Sequence, residues 1–157
     1  MKKVTTFLWF DGKAQEAAAF YEAVFKDVKI VETAYYTEAG PMPKGTVLTV
    51  AFELFGQQFV ALNGGPHYQF TPAVSFLVGC ETQDEIDQYW NSLADGGTPH
   101  QCGWISDKFG VTWQIVPNIL KEMLQDKDSG RAAGVMSAMF KMVKLDIEGL
   151  KRAYQEV

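Results

Sequence analysis

The sequence predicts an α+β fold built from two βαβββ modules, and three observations lead to this class. Short runs of β-branched and aromatic residues alternate with two amphipathic helical segments. The order of these elements occurs twice along the chain. The second copy ends in residues 102–118, where two strand-like runs flank a turn at Gly110, whose backbone freedom suits a hairpin.

The first copy begins with an apolar and aromatic run at residues 4–10, after which Asp11-Gly12 turns the chain. A helix is predicted over 13–25, because four apolar residues recur there at helical spacing. These residues are Ala17, Phe20, Tyr21 and Val24. Three strand-like segments complete the first copy, at residues 28–37, 46–55 and 58–62.

The second copy begins with a predicted strand at residues 72–79. Thr82 then opens a helix, since Glu85 three residues later completes a capping box. The buried stripe of this helix is predicted to consist of Ile86, Tyr89, Trp90 and Leu93. A pair of glycines, Gly96-Gly97, ends it, and a short strand and the hairpin follow.

The repeat can be aligned residue by residue. A shift of 69 positions places Phe7 on Phe76, and a shift of 54 places Phe59 on Trp113. One such module cannot bury its sheet face alone, so two copies are expected to form one curved mixed sheet with a cavity on its concave face. The expected modules span about 1–65 and about 70–118, and a helical tail spans about 119–157.

Composition narrows the possible partners. The chain has 157 residues and a formal net charge of −5. The sequence has no stripe of basic residues that could neutralise phosphates, so a nucleic-acid partner is not expected. No apolar run approaches the ~20 residues of a membrane span. Two cysteines, Cys80 and Cys102, do not make a disulfide framework, so both are expected to be reduced thiols in a cytoplasmic protein.

The last strand of the second copy carries the strongest functional signal. Side chains alternate along a strand, so Trp113 and Ile115 share one face while Thr112 and Gln114 share the other. The first pair is predicted to be core, and Gln114 to face a cavity. Asp107 is expected to shape the preceding turn through local backbone hydrogen bonds.

Three segments carry a family resemblance: PAVSFLVGCETQDEIDQYW, GGTPHQCGWISDKFGVTWQIVP and VMSAMFKMVKLDIEGLKRAY. They resemble the PhnB-like family, also labelled 3-demethylubiquinone-9 3-methyltransferase, within the vicinal oxygen chelate superfamily of glyoxalase I, bleomycin-resistance proteins and extradiol dioxygenases. The resemblance implies a homodimer of paired βαβββ modules. It implies little about activity, which is largely unassigned in this family.

Enzymes of that superfamily hold a divalent metal on four strand positions, and the resemblance carries these onto this chain. Val60 and Gln114 occupy the last-strand positions. The first-strand positions fall on Thr5 or Thr6 and on Val74 or Ser75. None of these residues is His, Asp or Glu, which divalent metals prefer, so no metal and no cofactor are expected.

Other residues offer weaker candidates for chemistry. His67, His100 and Cys102 are possible replacement ligands or cavity groups, although a surface histidine or a buried structural thiol is the commoner role. The two strand-to-helix turns, FDGK and GCETQ, lack the glycine-rich loop that usually binds a nucleotide-like methyl donor.

The predicted function is therefore the binding of an unidentified apolar or aromatic small molecule without a metal. The alternatives are a divalent-metal lyase, transferase or dioxygenase with atypical ligands, and the methyltransferase of the family label. No catalytic residue is assigned. The candidate ligand-binding residues are Trp9, Asn63, His67, Ser75, Cys102, Trp104 and Gln114.

The tail carries a broad, methionine-rich apolar face. It consists of Val135, Met136, Met139, Phe140, Met142 and Val143, and Ile147, Leu150 and Tyr154 extend it. Two interpretations remain open: the face packs on the core of its own chain, or it packs across a homodimer, where adaptable methionines are common.

Overall fold

The computed structural model describes residues 3–156 and confirms the α+β class with two βαβββ modules and C-terminal helices. The chain divides into two compact units, Met1–Phe70 and Thr71–Val157. The first unit contains the first module, and the second contains the second module together with the tail. Each module forms its own four-stranded mixed sheet.

The first unit consists of one helix and four strands. In chain order they are β1 (Thr6–Phe10), α1 (Ala14–Val24), β2 (Val28–Tyr35), β3 (Val47–Leu54) and β4 (Gln57–Asn63). The spatial order is β1-β4-β3-β2, in which β1 runs parallel to β4 and the other neighbours are antiparallel.

Helix α1 lies close to its sheet because small residues occupy its buried face. Ala14, Ala17 and Ala18 are fully buried there beside Tyr21. On the sheet, the rings of Phe52 and Phe59 stack with centroids 5.4 Å apart. The large aromatic side chains of this core therefore come mainly from the strands, and the alanines allow the helix to pack close to the sheet.

The second unit adds three helices to its module. In chain order its elements are β5 (Phe76–Cys80), α2 (Gln83–Ala94), β6 (Thr98–Pro99), β7 (Trp104–Ser106), β8 (Thr112–Pro117), α3 (Ile119–Leu124), α4 (Ser129–Phe140) and α5 (Ile147–Gln155). The sheet order is β5-β8-β7-β6, so β8 is an inner strand and pairs in parallel with β5.

Helix α2 confirms its predicted start and its predicted buried stripe. The Thr82 hydroxyl accepts a hydrogen bond from the Glu85 N–H at 3.2 Å. The Glu85 carboxylate in turn accepts from the N–H of Glu81 at 3.0 Å, one residue before the cap. All four stripe residues are buried: Ile86, Tyr89, Trp90 and Leu93.

Strand pairing corrects the repeat alignment by one residue. Phe7 pairs with Val60 in the first sheet, and Leu77 pairs with Gln114 in the second. The equivalent of Phe7 is therefore Leu77, a shift of 70 rather than the predicted 69. The strand expected over 72–79 also begins later, at Phe76, where pairing with Trp113 starts.

The Asp107 carboxylate organises the β7–β8 turn, as the sequence predicted. One oxygen accepts hydrogen bonds from the N–H groups of Phe109 at 2.9 Å and Val111 at 3.1 Å. The other accepts from the indole Nε1 of Trp113 at 2.9 Å. Asp107 is only 4% exposed, so these donors offset the cost of burying its carboxylate.

The tail forms a small core of its own against the end of β8. Five of its residues are buried together: Leu120, Met123, Val135, Leu145 and Leu150. Val116 of β8 packs on this cluster. Of the predicted apolar face, Val135 and Leu150 therefore pack on the core of their own chain, whereas Met136, Phe140 and Val143 remain exposed.

Polar contacts join the tail to the module and to itself. The Gln83 side chain donates to the Leu145 carbonyl at 3.1 Å and accepts from the Ile147 N–H at 2.9 Å. The Tyr154 hydroxyl donates to Asp126, and this hydrogen bond is the main reason that the pKa of the Asp126 carboxyl lies below its ordinary value.

Among residues 3–156, no helix is long and apolar enough to cross a membrane.

Replacing Trp113 tests the organisation of β8. Trp113 is 1% exposed, so we expect Trp113→Ala to lower the free energy of unfolding by about 3–5 kcal/mol. Trp113→Phe keeps an aromatic ring but removes the indole donor to Asp107, and should cost about 1–3 kcal/mol. Urea denaturation measures both values. A Phe variant as stable as wild type would contradict the contribution of the Asp107 bond.

Candidate functional site

The second unit contains a cavity of about 690 Å³, bounded by strands β5, β7 and β8, the turn before β7, and helices α3 and α4. This volume lies within the range of about 300–1,000 Å³ typical of small-molecule sites. The lining residues are Pro72, Leu77, His100, Gln101, Cys102, Trp104, Gln114, Val116, Leu120, Lys121, Leu124, Gln125, Met139 and Phe140.

The sheet wall of the cavity is a row of side chains across three strands. Leu77 pairs with Gln114, and Gln114 pairs with Trp104 on its other side. Directly paired residues project to the same face, so these three side chains lie together. The Gln114 Nε2 also donates to the Ser75 hydroxyl at 2.9 Å, which holds the amide in place.

A tight turn forms the second wall. The Trp104 N–H donates to the Gln101 carbonyl at 3.1 Å, and the two residues between them both have positive φ, 61° at Cys102 and 80° at Gly103. A Cβ at Gly103 would lie 2.9 Å from the Ile115 carbonyl oxygen, so glycine is required there. Cys102 has a Cβ and is held in a conformation that few non-glycine residues adopt.

The tail fixes this turn and supplies the third wall. The N–H groups of Cys102 and Gly103 donate to the carbonyls of Met142 and Val143 at 2.9 and 2.8 Å. The cavity side of α3 and α4 consists of Leu120, Lys121, Leu124, Gln125, Met139 and Phe140. The sequence did not assign these residues to a site; only Met139 and Phe140 belonged to the predicted apolar face of the tail.

A chain of polar side chains runs behind the cavity. The His100 Nε2 lies 2.8 Å from the Ser106 hydroxyl, which lies 2.9 Å from the Thr112 hydroxyl. His100 lines the cavity, whereas Thr112 is 1% exposed. This chain keeps the ring of His100 oriented on the β6–β7 hairpin.

The structure brings together four of the seven candidate residues. Cys102, Trp104 and Gln114 line the cavity, and Ser75 contacts Gln114. The other three candidates belong to the first unit and do not contribute to this lining: Trp9, Asn63 and His67.

The hydrogen bonds of the Asn63 side chain give it a structural role. Its Oδ1 accepts from the Ala14 N–H at 2.8 Å, and its Nδ2 donates to Gln15 at 3.0 Å and to the Val47 carbonyl at 3.1 Å. The cap residue Lys13 provides no side-chain hydrogen bond to α1. Asn63 therefore caps α1 from the end of β4.

Trp9 contacts the loop that follows β4, and His67 is part of that loop. The Trp9 Nε1 donates to the Gly65 carbonyl at 2.8 Å, and its ring meets Tyr68 edge-on with centroids 4.9 Å apart. His67 is exposed. In the first unit, Trp9 thus packs on its own loop.

The strand register decides which first-strand residues share a face with Val60 and Gln114, a choice that the sequence left open. Because Phe7 pairs with Val60 and Leu77 with Gln114, the first-strand residues on the same faces are Thr5 and Ser75. Thr5 lies 3.4 Å from Gln58, oxygen to oxygen. Within residues 3–156, no group of three or more His, Cys, Asp or Glu side chains is placed to hold a metal ion.

The fold and the similar proteins together define the class and the family of this chain. The two βαβββ modules give the chain the fold of the glyoxalase, bleomycin-resistance and vicinal oxygen chelate proteins. Within this class, the chain belongs to the family described as 3-demethylubiquinone-9 3-methyltransferase, whose sequence profile matches residues 2–116. No curated protein sequence matches the chain.

Solved structures agree with this assignment. A putative 3-demethylubiquinone-9 3-methyltransferase, PhnB protein, from Bacillus cereus is 40% identical, with a TM-score of 0.67 over 74% of this chain and 99% of that one. A Pseudomonas aeruginosa protein is 19% identical, with a TM-score of 0.58 over 74% and 96% of the two chains. The fosfomycin resistance protein FosX from Listeria monocytogenes is 14% identical, with a TM-score of 0.54 over 78% and 97%, and shares the fold.

The family match stops at residue 116, before the tail begins. Helices α3 and α4, which form the third wall of the cavity, therefore lie outside the matched segment.

Substitutions at Cys102 test the strained turn. Its φ of 61° suits Asn but not a β-branched side chain, so Cys102→Val should cost about 1–3 kcal/mol of unfolding free energy. We expect Cys102→Asn to be at least as stable as Cys102→Ala, which removes the thiol and serves as the control. Chemical denaturation measures all three. Equal stability of the Val and Asn variants would contradict the assigned backbone conformation.

Proposed function

We propose that this protein binds a small apolar or aromatic molecule in the cavity of its second unit and that binding requires no metal ion. The lining of the cavity supports this function, because eight of its fourteen side chains are apolar and Lys121 is the only Lys, Arg, Asp or Glu among them. Such a composition is typical of sites that take up organic ligands, because apolar burial supplies affinity and a few polar groups fix orientation. Gln114, held by Ser75, is the proposed orienting group.

The side chains at the superfamily's four metal-binding positions support binding without a metal ion. The four positions that the superfamily uses carry two hydroxyls, one valine and one amide: Thr5, Ser75, Val60 and Gln114. An aliphatic side chain cannot bind a metal, and neutral hydroxyl and amide oxygens are weak ligands for the transition ions. The cavity near Gln114 is accordingly proposed to act by shape and hydrogen bonding.

The name of the Bacillus cereus relative suggests methyl transfer. Methyl donors of nucleotide type usually bind a glycine-rich turn in a doubly wound parallel sheet. Both sheets of this chain are mixed, and the β5–α2 turn is Glu81-Thr82. These features support binding without methyl transfer.

Binding of a neutral aromatic probe tests the proposed function. We expect 2-naphthylethanol to bind with one site per chain, measured by titration calorimetry. Phe140 lines the cavity and is 58% exposed, so Phe140→Ala should weaken binding roughly fivefold through lost apolar contact. Tyr35→Ala, which removes an aromatic ring of 56% exposure from the first unit, is the control and should leave the affinity unchanged.

Three results would contradict this proposal. The first is failure of the wild-type protein to bind any naphthalene probe of this size, whether its end group is neutral or charged. The second is stoichiometric zinc, nickel, manganese or iron in elemental analysis, lost together with probe binding in Gln114→Ala. The third is stoichiometric binding of S-adenosylmethionine, which would favour the methyl transfer that the name of the Bacillus cereus relative suggests.

We further propose that the protein is a cytoplasmic homodimer and that α4 contributes to the contact. Met136, Phe140 and Val143 are 44%, 58% and 48% exposed, so the tail presents large apolar side chains to solvent. Burying such side chains against a second copy is favourable. Sedimentation at micromolar concentration should give twice the 17.5 kDa chain mass. We expect Met136→Glu with Val143→Glu to shift the protein toward monomer, and a monomeric wild type would refute the dimer.

A further inference from the structure

We infer that the ligand of this cavity is an apolar small molecule that carries a single anionic group, bound beside Lys121. The inference rests on the proposed function and specifies its ligand. It follows from the distribution of charge around the cavity.

The cavity is electrostatically unlike the rest of the chain. Of the described residues that line it, Lys121 is the only one with a full charge, and none is Asp or Glu. The whole chain has a formal net charge of −5. A lone cation on an otherwise apolar wall attracts an anion, and it leaves no partner for a cationic ligand.

The neighbouring acidic residue does not neutralise Lys121 on the cavity side. Glu122 lines a separate cleft on the other side of α3, together with Lys151 and Tyr154. Leu120 and Leu124, by contrast, line the cavity with Lys121. Helix α3 therefore directs its cation and its acid into different clefts.

Lys121 is also available to a ligand. Within the part of the chain that the structure describes, residues 3–156, its ammonium forms no ion pair and no hydrogen bond. Two other tail lysines are engaged: Lys144 pairs with Asp87 at 2.9 Å, and Lys151 with Glu148 at 3.8 Å. The side chain of Lys121 is thus free to place its charge at the mouth of the cavity.

Amide side chains in the same lining can complete the site for an acid. Gln125 lies one helical turn after Lys121 and lines the same cavity, as does Gln101 of the β6–β7 turn. Their amide N–H groups can donate to carboxylate oxygens, and as neutral groups they add no further charge to the cavity. The apolar body of the ligand then lies against Trp104 and Phe140.

The charged position belongs to the tail. The family profile ends at residue 116, so Lys121 lies outside the segment that this chain shares with the family profile. The preference for an anion would therefore be a property of the tail rather than of the shared modules.

Three probes that share a naphthalene ring and differ in their end group test the inference. These are 2-naphthylacetate, 2-naphthylethanol and 2-naphthylethylamine, each titrated at pH 7.5 and low salt. We expect the anion to bind about three- to fivefold more tightly than the alcohol, and the amine more weakly than both, as suits one partly exposed ion pair. The preference should shrink in 1 M salt because the pair is screened.

Lys121 variants assign the preference to one side chain. Lys121→Met should bring the affinity for the anion down to that for the alcohol, and Lys121→Glu should make the amine the better ligand. Lys127→Met is the control, because Lys127 is exposed on the α3–α4 connection, is absent from the lining, and changes the net charge equally.

The outcomes separate this inference from the proposed function. If the alcohol binds but the anion binds no more tightly, or if the preference survives in Lys121→Met, the inference is wrong and the proposed function stands. If Lys127→Met removes the preference as fully as Lys121→Met does, the net charge is responsible and the inference is again wrong. If none of the three probes binds, the proposed function fails.

Discussion

The buried carboxylate of Asp107 is the interaction on which the second unit depends. It accepts hydrogen bonds from two backbone N–H groups of its own turn and from the indole of Trp113. The turn and the first core residue of β8 are therefore fixed by one side chain. Since side chains alternate along a strand, fixing Trp113 into the core also fixes Gln114 onto the cavity face. Replacing the carboxylate would leave three donors without their acceptor, two of them on buried residues, which is costly in a core.

The cavity forms because the tail docks on this hairpin. Two N–H groups of the positive-φ turn bind carbonyls of the α4–α5 connection, and Gln83 of α2 binds the same connection from another side. Buried apolar residues then hold α3 and α4 above the sheet. The sheet face supplies Gln114 and Trp104, while the helices supply Lys121 and four of the eight apolar lining side chains. The site is thus assembled from a shared module and an added segment.

The chain shows how one fold keeps its frame while its chemistry changes. Strand pairing equates Thr5 with Ser75 and Val60 with Gln114, so the repeat preserves position without preserving residue type. Only Gln114 and Ser75 of these four are joined by a hydrogen bond to each other, in the second unit. Function in such folds resides in the side chains placed on the frame, so the family name alone does not define the activity.

The sequence by itself determined the α+β class, the two modules and the core face of β8, because these depend on local periodicity and on a repeat. Capping at Thr82 and the turn at Asp107 were also predictable, since both use hydrogen bonds between residues close in the chain. The strand register was not, because β1 and β5 are short and almost wholly apolar, so their pattern does not mark which residues share the face of Val60 or Gln114.

Only the tertiary structure decided which groups meet around the cavity. Asn63 was a candidate ligand-binding residue, yet its side chain binds α1 and β3, which are far away along the chain. Lys121 and Glu122 are adjacent in sequence, yet they face different clefts because successive helical residues point about 100° apart. Such placements depend on how helices dock on a sheet, and no local pattern encodes that docking.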